Sequence, residues 1–303
     1  MRRTGGGTEG GGPRPPRVDS ELARLVGAPA PSMADIGLEA SRALAGWLDD
    51  ETLSQDGLFA ISHRAVPGPA GAPDVTLLVA RPAAFASGDA RPCVYFIHGG
   101  GMATGNRTSG VGEPLAWARR FGLVVVSVEY RLAPETRHLG PVGDCYAGLE
   151  WVAAHASDLG LDPGKILVAG ASAGGGLAAG VALMARDLGG PPLLGALLLA
   201  PMLDDRNQTA SAKQMEGSVW DWRDNDFAWR LLLGDLSGGD LVSPYAAPAR
   251  ARDLGGLPPL FIDVGSAETF RDEVVDFAAR VWRRGGDAEL HVWPGGFHGF
   301  SSA

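Results

Sequence analysis

Ile166-Leu167-Val168-Ala169-Gly170-Ala171-Ser172-Ala173-Gly174 is the stretch on which the fold turns. Its first four residues are a short unbroken apolar run, suited to a buried strand. From Ala173 small and apolar residues continue to Ala185, and the stretch to Leu188 is long enough for a helix. A strand that enters a helix through Gly-x-Ser-x-Gly must turn so sharply that the serine takes a strained backbone and both neighbours stay small. Ser172 Oγ then stands at a helix N-terminus, where partial positive charge favours an anion. Two rival readings exist. A chain this rich in Gly and Ala can produce the pentad by chance. Gly174-Gly175-Gly176-Leu177-Ala178-Ala179 also fits the loose G-x-G-x-x-A of a dinucleotide loop. That second match starts inside the helix, after several strands, where a dinucleotide unit would not begin.

Outward from the pentad, strands and helices alternate. Helical periodicity over Ala34 to Leu48 gives way to short strands at Phe59 to Val66 and Val75 to Ala80. Strands follow at Cys93 to Ile97, Leu123 to Val128, Ile166 to Ala169, Ala196 to Leu199, Leu260 to Val264 and Ala288 to Trp293. Helices are expected over Pro141 to His155, Ala173 to Leu188 and Phe270 to Arg284, with an irregular, Trp-rich stretch at about 206–238. Apolar strands without polar alternation are buried on both faces, as in a mostly parallel sheet between helices. The fold class is α/β, with an open sheet.

In such sheets reactive groups gather at the carboxyl ends of the strands. His98-Gly99-Gly100-Gly101 follows one strand, and consecutive glycines let backbone N–H groups converge on a developing oxyanion. A flexible turn is the plainer reading of the same residues. Gly265-Ser266-Ala267-Glu268-Thr269-Phe270-Arg271-Asp272 follows a second strand, and Pro294-Gly295-Gly296-Phe297-His298-Gly299-Phe300 a third. An acid and then a histidine after Ser172 give the chain order of one hydrolase layout. Among His63, His98, His138, His155, His291 and His298, only His298 lies in a glycine-flanked loop at a late strand's end. None stands in a metal-binding spacing, so no metal and no other cofactor is expected.

These pieces, with Tyr130-Arg131-Leu132-Ala133-Pro134-Glu135 and the ending His298-Gly299-Phe300, resemble the hormone-sensitive-lipase family of α/β-hydrolases, the bacterial family IV esterases. The resemblance runs from about residue 40 to about residue 300. It implies an α/β-hydrolase fold with a helical cap, Ser172 as nucleophile and His298 as base. It also implies an oxyanion hole from the N–H groups of Gly100, Gly101 and Ala173, with Gly99 a further candidate. The family's acid is usually Asp, whereas Glu268 aligns with it here; Asp272 is the second choice and Asp263 the third. The plainer alternative for Glu268 is an exposed residue at a helix N-terminus, favoured there by the dipole. The family adds a helix after the histidine loop, whereas this sequence ends at Ala303, so an apolar sheet face is expected to be open or covered by a partner.

The implied organisation is a flexible Gly/Pro/Arg tail over 1–17, cap helices over 18–55, and a catalytic domain over 56–303 with a cap insertion at about 206–238. The implied activity is a serine carboxylesterase acting on short-to-medium acyl esters. Met102, Trp220, Trp222, Phe227 and Trp229 are candidates for the pocket wall, although the spacing 222, 226, 229 suits helix packing equally. An amide, lactone or carbamate hydrolase stays open, as does a non-catalytic ligand-binding relative of the kind found in plant gibberellin receptors. The formal net charge of −9 over 303 residues argues against a nucleic-acid partner. No apolar run reaches membrane-spanning length, and Gly and Pro follow Met1-Arg2-Arg3 where an export signal would be apolar. With Cys93 and Cys145 both in apolar surroundings, a cytoplasmic protein without disulfides is expected. A small ester is the expected partner, and a second copy of the chain stays open as another.

Overall fold

The computed structural model describes residues 14–25, 32–84, 90–215 and 218–302. The tail expected over 1–17 therefore lies outside the described residues up to residue 13. In chain order the elements are helices α1 (Leu22–Leu25), α2 (Met33–Leu44) and α3 (Asp50–Ser54), then strands β1 (Phe59–Val66), β2 (Val75–Pro82) and β3 (Arg91–Ile97). Next come α4 (Gly112–Phe121), β4 (Val124–Glu129), α5 (Gly140–Ala154), α6 (Ala156–Leu159), β5 (Leu161–Ala171), α7 (Ala173–Leu188) and β6 (Gly195–Leu199). The chain closes with α8 (Ala210–Gln214), α9 (Trp222–Leu233), β7 (Leu260–Gly265), α10 (Arg271–Arg283) and β8 (Ala288–Trp293).

The strands form one sheet in the order β1-β2-β4-β3-β5-β6-β7-β8. β2 is antiparallel to β1 and β4, and every other neighbouring pair is parallel. Successive residues of β3 explain why its apolar run is unbroken. Cys93, Tyr95 and Ile97 enter the main core with residues of α5 and α7. Val94 and Phe96 point to the opposite face, where Trp117 of α4 packs against them. Each fully buried side chain of this size contributes about 1.5–3 kcal/mol. The buried Tyr95 hydroxyl donates to Cys145 O at 2.8 Å, so it adds apolar area without an unmet donor. Cys93 and Cys145 are free, buried thiols.

Three expectations need correction. Helix α4 has no counterpart in the sequence reading, because Gly110, Gly112 and Pro114 punctuate its start and Val111 supplies no side-chain cap. The insertion at 206–238 is not irregular throughout: α9 occupies 222–233, started by Asp221, whose carboxylate accepts from the N–H groups of Arg223 and Asp224. The N-terminal helix stops at Leu44 and is broken at Gly37, whose φ is 80°.

Coverage of the second sheet face thins toward β8. Leu167, Leu197 and Phe261 are half-buried there, and Trp293 is 41% exposed. His291 stacks on Trp293 at 5.1 Å between ring centroids, and Phe261 lies 5.3 Å from His291. No helix of the described residues is long and apolar enough to cross a membrane.

Candidate active site

Ser172 sits between β5 and α7 with φ 57° and ψ −122°, a conformation rare for a residue with a Cβ. The surroundings hold it there. Its N–H donates to Leu199 O at 2.8 Å, and its carbonyl accepts from Gly176 N at 3.1 Å and Met202 N at 3.0 Å. The flanking glycines are required by contact. A Cβ on Gly170 would stand 2.2 Å from Gly174 O, and one on Gly174 would stand 2.0 Å from Ile97 O and 2.5 Å from His98 O. The serine turn and the end of β3 thus meet main chain to main chain.

The His98-Gly99-Gly100-Gly101 loop lies across that contact. Gly100 and Gly101 have φ of 103° and 62°, which glycine adopts without strain. Among the described residues, the N–H groups of Gly100, Gly101 and Ala173 donate to no backbone carbonyl. The segment Tyr130 to Glu135 braces this loop. Tyr130 stacks on His98 at 4.2 Å and its hydroxyl donates to His98 O at 2.9 Å. Arg131 grips the fully buried Asp144 with a two-pronged pair at 2.8 and 2.6 Å. From α2, Arg42 donates to Ala103 O and Ala133 O, both at 2.8 Å, and pairs with Glu135. Neither Arg42 nor Asp144 stands out in the sequence, because their partners lie far along the chain.

His98 is fully buried, and its Nδ1–H donates to Gly99 O at 2.8 Å. Burial pushes its pKa down to about 4 from the ordinary 6.5. In that window the unfolded chain binds a proton that the folded chain does not, so stability is full above 6.5 and falls as pH drops toward 4. The loss is expected to be about 3 kcal/mol. Urea unfolding of wild type and His98→Asn across this range checks it: the variant should lose less stability on acidification, and equal slopes would refute the assignment.

His298 follows β8. Its Nε2 lies 3.0 Å from Ser172 Oγ, and its Nδ1 lies 3.4 Å from Glu268 Oε1. Glu268 is fully buried, not exposed at a helix start, and its other oxygen accepts from Gly265 N at 3.2 Å. Phe270 presents an edge to the imidazole at 5.0 Å. The other two acids face elsewhere. Asp272 accepts from Ser211 N at 2.8 Å and pairs with Arg271. Asp263 accepts from Trp293 Nε1 at 3.1 Å, and burial raises its pKa. A cavity of about 50 Å³ opens beside Ser172 and His298, lined also by Leu199, Ala200, Asp263 and Gly299.

The five pocket candidates part company. Met102 is buried directly after the glycines, with φ 59°. Trp220 lies against Gly101 and 6.2 Å from His298. Phe227 is half-buried on α9, whereas Trp222 is 41% exposed at the helix start. Trp229 is fully buried in the main core, which assigns it to packing and not to the pocket wall. Asp204 and Asp205, also near this end of the sheet, are buried and paired with Arg206 and Arg250.

Comparison with known proteins agrees with this fold. Residues 94–302 match the model of a family described as the alpha/beta hydrolase fold. Esterase LipI of Mycobacterium tuberculosis is 33% identical over 289 residues, covering 94% of this chain and 88% of LipI. Carboxylesterase NlhH of the same species is 37% identical over 220 residues, covering 70% of this chain and 67% of NlhH. The solved structure of a bacterial heroin esterase superposes with a TM-score of 0.85 at 38% identity, covering 94% of this chain and 91% of that one. With its fold, its glycine loop and its serine turn, the chain belongs to the α/β-hydrolase family, in the hormone-sensitive-lipase group that its motifs resemble.

Proposed function

We propose that Ser172, His298 and Glu268 are nucleophile, base and acid of a serine carboxylesterase for short-to-medium acyl esters. The chain is a carboxylic ester hydrolase, as the names of its relatives indicate. The observation that carries the residue assignment is the 3.0 Å approach of His298 Nε2 to Ser172 Oγ on a strained, tightly packed turn. His298 takes the hydroxyl proton as Oγ attacks the ester carbonyl. The carbonyl electron pair moves onto oxygen, where the N–H groups of Gly100, Gly101 and Ala173 stabilise it. Collapse expels the alcohol, which receives the proton from His298, and water repeats the sequence to release the acid. Glu268 holds Nδ1–H, fixing the tautomer and stabilising imidazolium.

The helices within 18–55 and the insertion at 206–238 form the cap in this reading. The buried free thiols suit a reducing cytoplasm. A series of nitrophenyl esters tests the substrate class: kcat/KM is expected to peak between acetate and hexanoate and to fall at least about tenfold by laurate. A fluorophosphonate should label Ser172 at one equivalent. A peak at laurate would overturn the chain-length reading, and an unlabelled Ser172 the catalytic one.

A further inference from the structure

The cavity beside Ser172 and His298 has one charged wall that the mechanism above leaves unused. Ala171, Leu199 and Asp263 are register neighbours on β5, β6 and β7, so their side chains stand in a row on the second sheet face. All three line the cavity. Asp263 is half-buried, and no Lys or Arg among the described residues pairs with it. Its two hydrogen bonds, from Trp293 Nε1 at 3.1 Å and from Ala200 N at 3.3 Å, come from neutral donors. The charge of Glu268 works against its ionisation, and Asp263 in turn helps to raise the pKa of Glu113. His291 acts in the opposite sense, but that imidazole is paired with Glu289 at 2.7 Å. A carboxylate drawn out of water is stabilised by a cation, and none of its neighbours supplies a fixed one.

We infer that Asp263 is a specificity-determining residue that receives a cationic nitrogen carried by the leaving alcohol of the substrate. The inference rests on the esterase reading above. His298 and Gly299 line the cavity and no residue of the glycine loop does, so it lies on the His298 side of the nucleophile. That is the side on which the alcohol departs, because His298 hands it a proton. Adjacent strands stand about 4.8 Å apart, which puts Asp263 about 10 Å along the sheet from Ala171, the neighbour of Ser172. In an ester whose alcohol carries nitrogen two carbons from oxygen, carbonyl carbon and nitrogen are about 5 Å apart. A charged hydrogen bond to the carboxylate adds about 3 Å. The reach matches. The cavity of about 50 Å³ has room for the few atoms of such an arm. The substrate class is thus a short acyl ester of a small amino alcohol.

The test compares 2-(dimethylamino)ethyl acetate with 3-methylbutyl acetate, esters of one acid whose alcohols share a shape and differ by a positive charge at pH 7. Acetate release gives kcat/KM for each. Their intrinsic reactivities differ, so the readout is the ratio of cationic over neutral ester in wild type against the same ratio in Asp263→Asn. The ratio is expected to fall about tenfold in the variant, the weight of one ion pair at a partly exposed site. Asp272→Asn is the control: it removes the same charge from a carboxylate that faces Ser211 instead of the cavity, and its ratio should match wild type. An unchanged ratio in Asp263→Asn, or an equal fall in Asp272→Asn, would overturn the inference. So would a wild-type protein that cleaves nitrophenyl acetate and leaves the cationic ester untouched.

Circular dichroism checks that the variants fold. If Asp263→Asn does not, inhibition of the wild-type protein decides. 2-(Dimethylamino)ethanol should compete with nitrophenyl acetate at least about fivefold more tightly than 3-methylbutanol, and equal inhibition by the two alcohols refutes recognition. Ser172→Ala measured on the same esters separates the two levels, because retained turnover there defeats the catalytic reading and not the role of Asp263.

Discussion

Ser172→Ala is expected to lower kcat toward a nitrophenyl ester by about four to six orders of magnitude while the protein stays folded. The loss is large because, in the proposed mechanism, the hydroxyl forms and breaks the covalent bond, and no other nucleophile takes its place. Folding survives because the bonds that fix this turn use the backbone of residue 172: N–H to Leu199 O, and carbonyl from Gly176 and Met202. Alanine meets the same φ of 57° with the same Cβ, so the backbone strain is unchanged. Thermal unfolding should therefore shift by no more than a few degrees, the effect of about 1 kcal/mol in a domain of this size. Turnover within tenfold of wild type would remove Ser172 from the mechanism.

Glu268→Gln should lower kcat by about 10⁴-fold, the second largest effect. Glutamine keeps the shape and can still accept from Gly265 N through its carbonyl oxygen. What it loses is the negative charge facing Nδ1 and the guarantee that Nδ1, not Nε2, carries the proton in the resting imidazole. Without that guarantee His298 presents an N–H to Ser172 and cannot take its proton. Asp272→Asn and Asp263→Asn should each stay within about tenfold of wild type, since neither carboxylate contacts the imidazole. Steady-state kinetics on all three variants decides among the acids: a larger loss in either asparagine variant than in Glu268→Gln would transfer the role.

Why only part of this was legible in the sequence follows from where each signal is encoded. β7 and β8 end within a residue of their expected limits, because unbroken apolar runs between polar turns are a local signal. β5 starts at Leu161, five residues before Ile166, since Asp162-Pro163-Gly164 carries no strand pattern and lies in the register shift between the Arg91–Leu161 and Cys93–Ile166 pairs with β3. Ser172 and His298 were nameable as candidates because glycines crowd their turns at strand ends. Glu268, Asp263 and Asp272 lie within ten residues of one another, and sequence could only rank them. Their separation comes from the backbone: Gly265 N draws Glu268 inward, while Ser211 and Trp293 hold the other two. The grip of Arg42 on Ala103 and Ala133 spans at least 61 positions and leaves no local trace.

The contact between Gly174 and the carbonyls of Ile97 and His98 has a consequence for redesign. The two proposed sources of oxyanion-binding N–H groups, one after β3 and one at the start of α7, meet main chain to main chain at this glycine. No side chain lies between them to be repacked, shortened or rotated. Their spacing at this contact is therefore set by backbone rather than by core side chains, so side-chain substitutions elsewhere in the core leave it in place. A transplant to another scaffold, by the same logic, would have to carry both segments together.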